Sequence, residues 1–173
     1  MRPWLLLASA CVIAAAIACG SSVTMPSSTT PQATMTTTTA ITTPITTGAL
    51  GGVWRGTGSD SQGATIVTWT LTQTGSTVSG AVKTQAVNPN DGSCGSCHRN
   101  KSGTFSGSID GATLMLTMHF AAGADGDPTP ECDATLSGSA SMPAANQLTA
   151  IYSGADSCEG PFLNGTLPMT RQQ

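Results

Sequence analysis

The sequence predicts an all-β domain, an eight-stranded antiparallel up-and-down barrel, preceded by a signal peptide and a disordered tether. Three observations carry that expectation. Apolar residues alternate with Ser and Thr at a period of two through eight short segments beyond residue 50, the pattern of strands with one buried face. Gly, Ser, Asp and Asn separate the segments at turn spacing. Outside the first twenty residues, no stretch repeats its apolar residues at the 3.6-residue period of a helix.

The segments follow in order. "GVWRGTG" (52–58) opens the domain and "ATIVTWTLTQTG" (64–75) places Val67, Trp69 and Leu71 on one face, with Thr68, Thr70 and Thr72 on the other. A Gly-Ser turn leads to "TVSGAVKTQ" (77–85). A cysteine-bearing insert follows, then "GTFSGSI" (103–109). Asp110-Gly111 is a hairpin signal, and "TLMLTMHF" (113–120) turns Leu114, Leu116, Met118 and Phe120 inward. "DATLSGSASM" (133–142) and "QLTAIYSGA" (147–155) form the next pair, and "FLNGTLPMTR" (162–171) ends the series. Pro168 removes one ladder donor, so irregular pairing is expected there. Eight sequential antiparallel strands close readily into a barrel, and closure abolishes exposed edges. A barrel of this size holds packed side chains or one small ligand. The candidate interior residues are Trp54, Trp69, Phe105, Phe120, Tyr152 and Arg171. Gly80, Gly107 and Gly138 at alternate positions point to a narrow barrel that these aromatics would largely fill.

Gly52-Val53-Trp54 on the first strand and Arg171 on the last, in phase with Leu167 and Met169, resemble the closing motif of the lipocalin and avidin barrels, the calycins. The resemblance implies that the basic residue covers the indole and shuts one end of the barrel. The physical basis is a cation over a π face, with apolar area covered as well. Trp54 reads either as a ligand wall or as a plug of that end, and the plug is favoured because indoles at barrel ends more often pack than bind. The lipocalin helix after the barrel has no counterpart here.

The chain begins MRPWLLLASACVIAAAIACGSS. Arg2 and an uncharged apolar run over 4–18 read as a secretory signal, domain 1–18, because the run is shorter than the roughly 20 residues of a spanning helix. Ala16-Ile17-Ala18-Cys19-Gly20 resembles a bacterial lipobox, which implies a lipid on Cys19 and localisation in the cell envelope, periplasmic or surface-exposed, with the membrane as partner. Ala16 stands where that motif carries Leu. Residues 19–49 form the tether. In 21–47, Ser, Thr and Pro supply 19 of 27 residues without a charge, too little apolar surface to offset ordering. As a flexible coil this span covers roughly 30 Å. The barrel domain is 50–173. Without Arg2 the chain has five Lys and Arg against nine Asp and Glu, a net charge of −4, which gives no electrostatic case for nucleic acid.

In an up-and-down barrel, the connections after the first, third, fifth and seventh strands share one end. Cys94 and Cys97, Cys132 and Cys158 fall in three of them. Outside the cytoplasm disulfides are expected. Cys132 enters the sixth strand and Cys158 leaves the seventh, its hairpin partner, so these two are paired. Cys94 and Cys97 then form a small cystine loop. Four cysteines allow three connectivities, and cross-pairing stays open.

Cys94-Gly95-Ser96-Cys97-His98 also spells C-x-x-C-H, the attachment pattern of c-type haem. Haem needs an apolar pocket and commonly a second axial ligand, whereas residues 88–91 and 99–101 are polar. A thioredoxin-like pair wants a helix N-terminus, and none is expected here. Zinc on the cysteines and His98 would require reduced thiols. Asp125, Asp127, Glu131, Asp133, Asp156 and Glu159 make the same mouth acidic; their spacing matches no EF-hand, and they read as solvated loop. His119 is out of phase with the inward face and expected to be exposed. No nucleophile with a held base is visible. The sequence therefore points to a non-enzymatic envelope lipoprotein without a metal or cofactor, its barrel taking a small apolar ligand or a partner. The alternative is a redox or c-type haem electron-transfer protein built on Cys94, Cys97 and His98.

Overall fold

The computed structural model describes residues 44–87, 100–123 and 132–173. Eight strands follow one another: β1 (Gly52–Asp60), β2 (Gly63–Thr74), β3 (Thr77–Ala86), β4 (Ser102–Asp110), β5 (Thr113–Phe120), β6 (Ala134–Ala144), β7 (Gln147–Asp156) and β8 (Gly160–Arg171). Each pairs antiparallel with the next, and β8 returns to β1 to close the barrel. Each segment read from the alternation is a strand, with ends displaced by one or two residues. The β4–β5 hairpin loop is Gly111 and Ala112, with Asp110 opposite Thr113. Gly111 holds φ at +59°, the left-handed region a two-residue hairpin of this kind requires.

The inward rows make the core. Trp54, Val67, Trp69, Leu71, Val78, Val82, Phe105, Leu114, Leu116 and Met118 are buried, as are Leu148, Tyr152, Leu167 and Met169 from the later strands. Trp54 sits opposite Trp69 in the β1–β2 ladder. Trp69 meets Phe105 with ring centroids 4.8 Å apart and planes at 53°, a tilted geometry favoured by the ring quadrupoles. Outward positions are mostly hydroxyls, and His119 is exposed.

The barrel is narrow for a backbone reason. A Cβ on Gly138 would overlap the Ile151 carbonyl oxygen of β7, and one on Gly80 would overlap the Thr70 carbonyl oxygen of β2. The strands coil so sharply at these points that the neighbouring backbone occupies the space of a side chain. Two irregularities complete the closure. The β1–β8 ladder keeps one register from Trp54↔Arg171 to Ser59↔Thr166, yet lacks the pairs opposite Pro168 and Leu167, where the proline has no N–H to give. The β7–β8 register shifts between Tyr152 and Gly154. Asn164 there takes φ +55°, and the inward phase of β8 passes from Phe162 to Gly165 across the extra residue, as a β-bulge demands.

Residues 44–49, expected to end the tether, belong to the barrel. Ile45 and Leu50 are buried in the core. The Ile45 amide donates to the Gly111 carbonyl at 3.1 Å. Gln73 binds the turn at two points, accepting from the Leu50 amide at 2.9 Å and donating to the Thr46 carbonyl at 3.1 Å. The period-two test misses this segment because it is a turn, with only two of its residues pointing inward.

Replacing Gly138 by Val is expected to lower stability by about 3 kcal/mol through backbone overlap. Ser79→Val on the outward face of β3 is expected to change it by less than about 0.5 kcal/mol. Urea midpoints of the two variants check this; equal midpoints would contradict the tight-coil reading.

Candidate functional site

The two ends of the barrel are built differently. At the end entered by residues 44–50, Trp54 is fully buried and its Nε1 donates to the Leu50 carbonyl at 2.9 Å. Arg171 lies over the Trp54 ring, its Cζ 4.7 Å from the centroid. Its guanidinium donates to the Gly51 carbonyl at 2.7 Å and to the Ala49 carbonyl. One cation thus covers the indole and fastens the entering turn. This end is shut by packing, with Arg171 laid over the buried Trp54.

The other end is the mouth, where β1, β3, β5 and β7 finish. Its first feature is a buried ion pair. Lys101, just before β4, is 2% exposed, and its Nζ donates to Asp156 Oδ2 at 2.5 Å. Asp156 is the last residue of β7. Its other oxygen, Oδ1, accepts the amides of Cys158 at 2.9 Å and Glu159 at 3.1 Å. Burial pushes this carboxyl's pKa upward, but Lys101 and the two amides outweigh burial and hold it below its ordinary value of 3.8. Asp156 is therefore no solvated loop residue, as its place in "DSCEG" suggested: it is 2% exposed and organises the β7–β8 turn.

Beside the pair, Cys132 and Cys158 are joined, with Cα atoms 5.6 Å apart. The pairing follows from the hairpin, since Ala134 sits opposite Asp156 in the β6–β7 ladder. Further bonds join the same two connections. The Ser157 amide donates to the Asp133 carbonyl at 2.8 Å, and the Asp133 amide donates to Ser157 Oγ at 3.0 Å. Being oxidised, the two sulfurs beside Asp156 offer no thiolate to a metal. Cys94, Cys97 and His98 lie outside the described residues, as do Asp125, Asp127, Glu131 and Cys19.

Behind the ion pair lies a small cavity of about 20 Å³, room for about one water. Val67, Met118, Phe120, Leu136 and Phe162 supply its apolar wall, and Ala134 leaves it open. Asp60, Thr65, Thr84, Lys101 and Tyr152 also border it, yet almost none of its wall is polar. Tyr152 donates its phenol proton to Asp60 Oδ2 at 2.7 Å. Burial first, then the hydrogen bond to Asp60 and its charge, raise the phenol's pKa far beyond the usual range, so Tyr152 stays neutral. Thr65 Oγ1 donates to the Gln85 carbonyl at 3.3 Å. Thr84 Oγ1 is buried and has no hydrogen-bond partner among the described residues.

Of the aromatics proposed for the interior, Phe120 and Tyr152 line this cavity, whereas Trp69 and Phe105 pack against each other deeper in the barrel. The Trp69 Nε1 is buried without a partner among the described residues. The sequence reading missed Asp60, Thr84 and Lys101 and took Asp156 for a solvated loop residue. Thr84 was legible, because it continues the inward phase of Val78 and Val82. Asp60 and Asp156 extend their strands past the point where alternation was followed.

No protein-family model and no curated protein matches the chain. Solved structures resemble it, among them two bound to the same small molecule. The redesigned β-barrel mFAP1, bound to DFHBI, is 16% identical and covers 71% of this chain and 95% of its own, with a TM-score of 0.49. EF1p2_mFAP2b, bound to DFHBI, is 14% identical and covers 72% of this chain and 94% of its own, with a TM-score of 0.52. At this identity the second likeness concerns the fold: a closed, eight-stranded antiparallel barrel.

Asp156→Asn is expected to destabilise the protein by about 3 kcal/mol, because the buried Lys101 loses its counter-charge. The pH dependence has a definite sign. The folded carboxyl binds its proton at lower pH than the unfolded one, so the pair's contribution is complete above about pH 4 and declines as pH falls through the folded value. Denaturant titrations between pH 7 and pH 2 should show that acid limb in the wild type and a shallower one in Asp156→Asn. Identical limbs would refute the assignment.

Proposed function

We propose that this protein is an envelope lipoprotein, anchored through Cys19, whose barrel is a non-enzymatic binding module for a small apolar ligand. The supporting observation is the mouth cavity, whose wall is almost wholly apolar, in a closed eight-stranded barrel, a size that holds packed side chains or one small ligand. At its present volume it admits a water. A larger guest enters by displacing the Met118 side chain, whose unbranched thioether adapts at low cost. EF1p2_mFAP2b shares the fold and binds DFHBI, so such a barrel can hold a small molecule. The chain enters at the shut end, through Ile45 and Leu50.

Intact mass of the protein matured in a bacterium able to attach c-type haem tests the first part. The expected species carries diacylglycerol on Cys19 and no haem; haem that survives denaturation would replace this reading by an electron carrier. Toluene titration of methyl-labelled protein tests the second. The Met118 methyl resonance should shift and saturate in the wild type. Ala134→Leu, which fills the cavity, should weaken that binding at least about tenfold while preserving the far-UV spectrum. Saturation unaffected by Ala134→Leu would refute the cavity as the site.

A further inference from the structure

The outside of the barrel distributes its charge unevenly. We propose that the outer face of β1–β3, centred on Arg55, Thr68 and Lys83, is the side on which the barrel rests against an anionic phospholipid bilayer. This rests on the anchor at Cys19 and adds which side of the barrel meets the membrane.

The ladders place Arg55 opposite Thr68, and Thr68 opposite Lys83. Alternation turns all three outward, and both cations are exposed. Two strand spacings separate them, about 10 Å, so both charged heads serve one patch of surface. The rows on either side are uncharged. Val53, Thr70 and Ala81 make one, and Thr57, Ile66 and Gln85 the other. Val53 is 37% exposed and Ile66 is half-buried, so aliphatic area lies beside the charge.

The other cations among the described residues are already engaged. Lys101 is paired with Asp156, and Arg171 covers Trp54 and holds the Gly51 carbonyl. No ion pair among the described residues engages Arg55 or Lys83. The described carboxylates lie elsewhere: Asp60, Asp133, Asp156 and Glu159 at the mouth, and Asp110 at the β4–β5 hairpin. The negative net charge conceals this, because it sums the engaged cations and the mouth carboxylates with the exposed pair. An anionic surface attracts the β1–β3 side and repels the mouth. Since this face is on the barrel wall, docking there covers neither end. A Lys or Arg close to an anionic leaflet favours association about fivefold, and two of them about thirtyfold. That is too little to draw a protein from dilute solution, but enough to orient one already held at the surface. Pro44 follows Cys19 by 25 positions, so the anchor confines the barrel to within roughly 90 Å of the bilayer whatever path those residues take.

The lipidated full chain tests this, reconstituted in bilayers with a trace of lipid whose headgroup chelates gadolinium. Three methyl groups report the side that faces the lipid: Ile66 on the proposed face, and the exposed Met115 and Ile151 on β5 and β7, each three strands away. On phosphatidylcholine containing phosphatidylglycerol, Ile66 should lose at least about twofold more intensity than Met115 or Ile151. On phosphatidylcholine alone, in high salt, and in the Arg55→Gln, Lys83→Gln double variant, the three should fade alike. Both substitutions are at exposed positions, so the far-UV spectrum should not change. Equal fading in the wild type on the anionic bilayer overturns the inference, as does a bias that survives the double substitution. Inorganic phosphate that shifts Ile66 saturably and abolishes the bias would reassign Arg55 and Lys83 to a small-anion site and overturn the bilayer as their partner. An intact mass without diacylglycerol overturns the anchor and this inference together; a lipidated protein without the bias overturns this inference alone.

Discussion

Closure of β8 onto β1 is the constraint on which the rest of the structure depends. With every strand paired on both sides the sheet has no edge, and the inward rows of eight strands must share one narrow tube. The tube is narrow because Gly80 and Gly138 let adjacent backbones approach where a side chain would stand. Trp54, Trp69 and Phe105 then fill the middle and the shut end. Closure also brings distant residues together. Asp60 of β1 meets Tyr152 of β7, 92 residues later, and Arg171 meets the turn at Ala49, 122 residues earlier.

The shut end and the mouth solve opposite problems. At the shut end, apolar area is covered by the cation of Arg171, which snorkels to the carbonyls of Ala49 and Gly51. At the mouth, charge is taken inside. Burying Lys101 and Asp156 costs desolvation, which a single contact repays poorly. The Asp156 carboxylate recovers more by also accepting two backbone amides. The return is positional: Lys101 brings the start of β4, Cys132 the approach to β6, and Asp156 and Cys158 the β7–β8 turn. Three connections are thereby held together around the cavity.

Much of this was legible before the fold was seen. Alternation such as that of Val67, Trp69 and Leu71 marks a strand and its inward face at once, because side-chain direction in a strand has a strict period of two. Once the strands are counted, up-and-down order places Cys132 next to Cys158 without any further information. The site was less legible. Lys101 and Asp156 look like surface charges in polar stretches, since a charged residue is buried only when its partner is found, and theirs is 55 residues away. The bulge at Asn164 was hidden because one extra residue shifts the phase of a strand without any distinctive composition.

The sequence by itself determined the all-β class, the number of strands, the buried faces and the end at which each connection lies. These follow from local periodicity and chain order, which need no knowledge of distance. Only the tertiary structure decided how closely the strands coil, that residues 44–50 close one end, and that Lys101 and Asp156 are buried as a pair. Those outcomes depend on which side chains meet across the closed sheet, and on whether each buried polar atom finds a partner there. Neither is a property of any one segment.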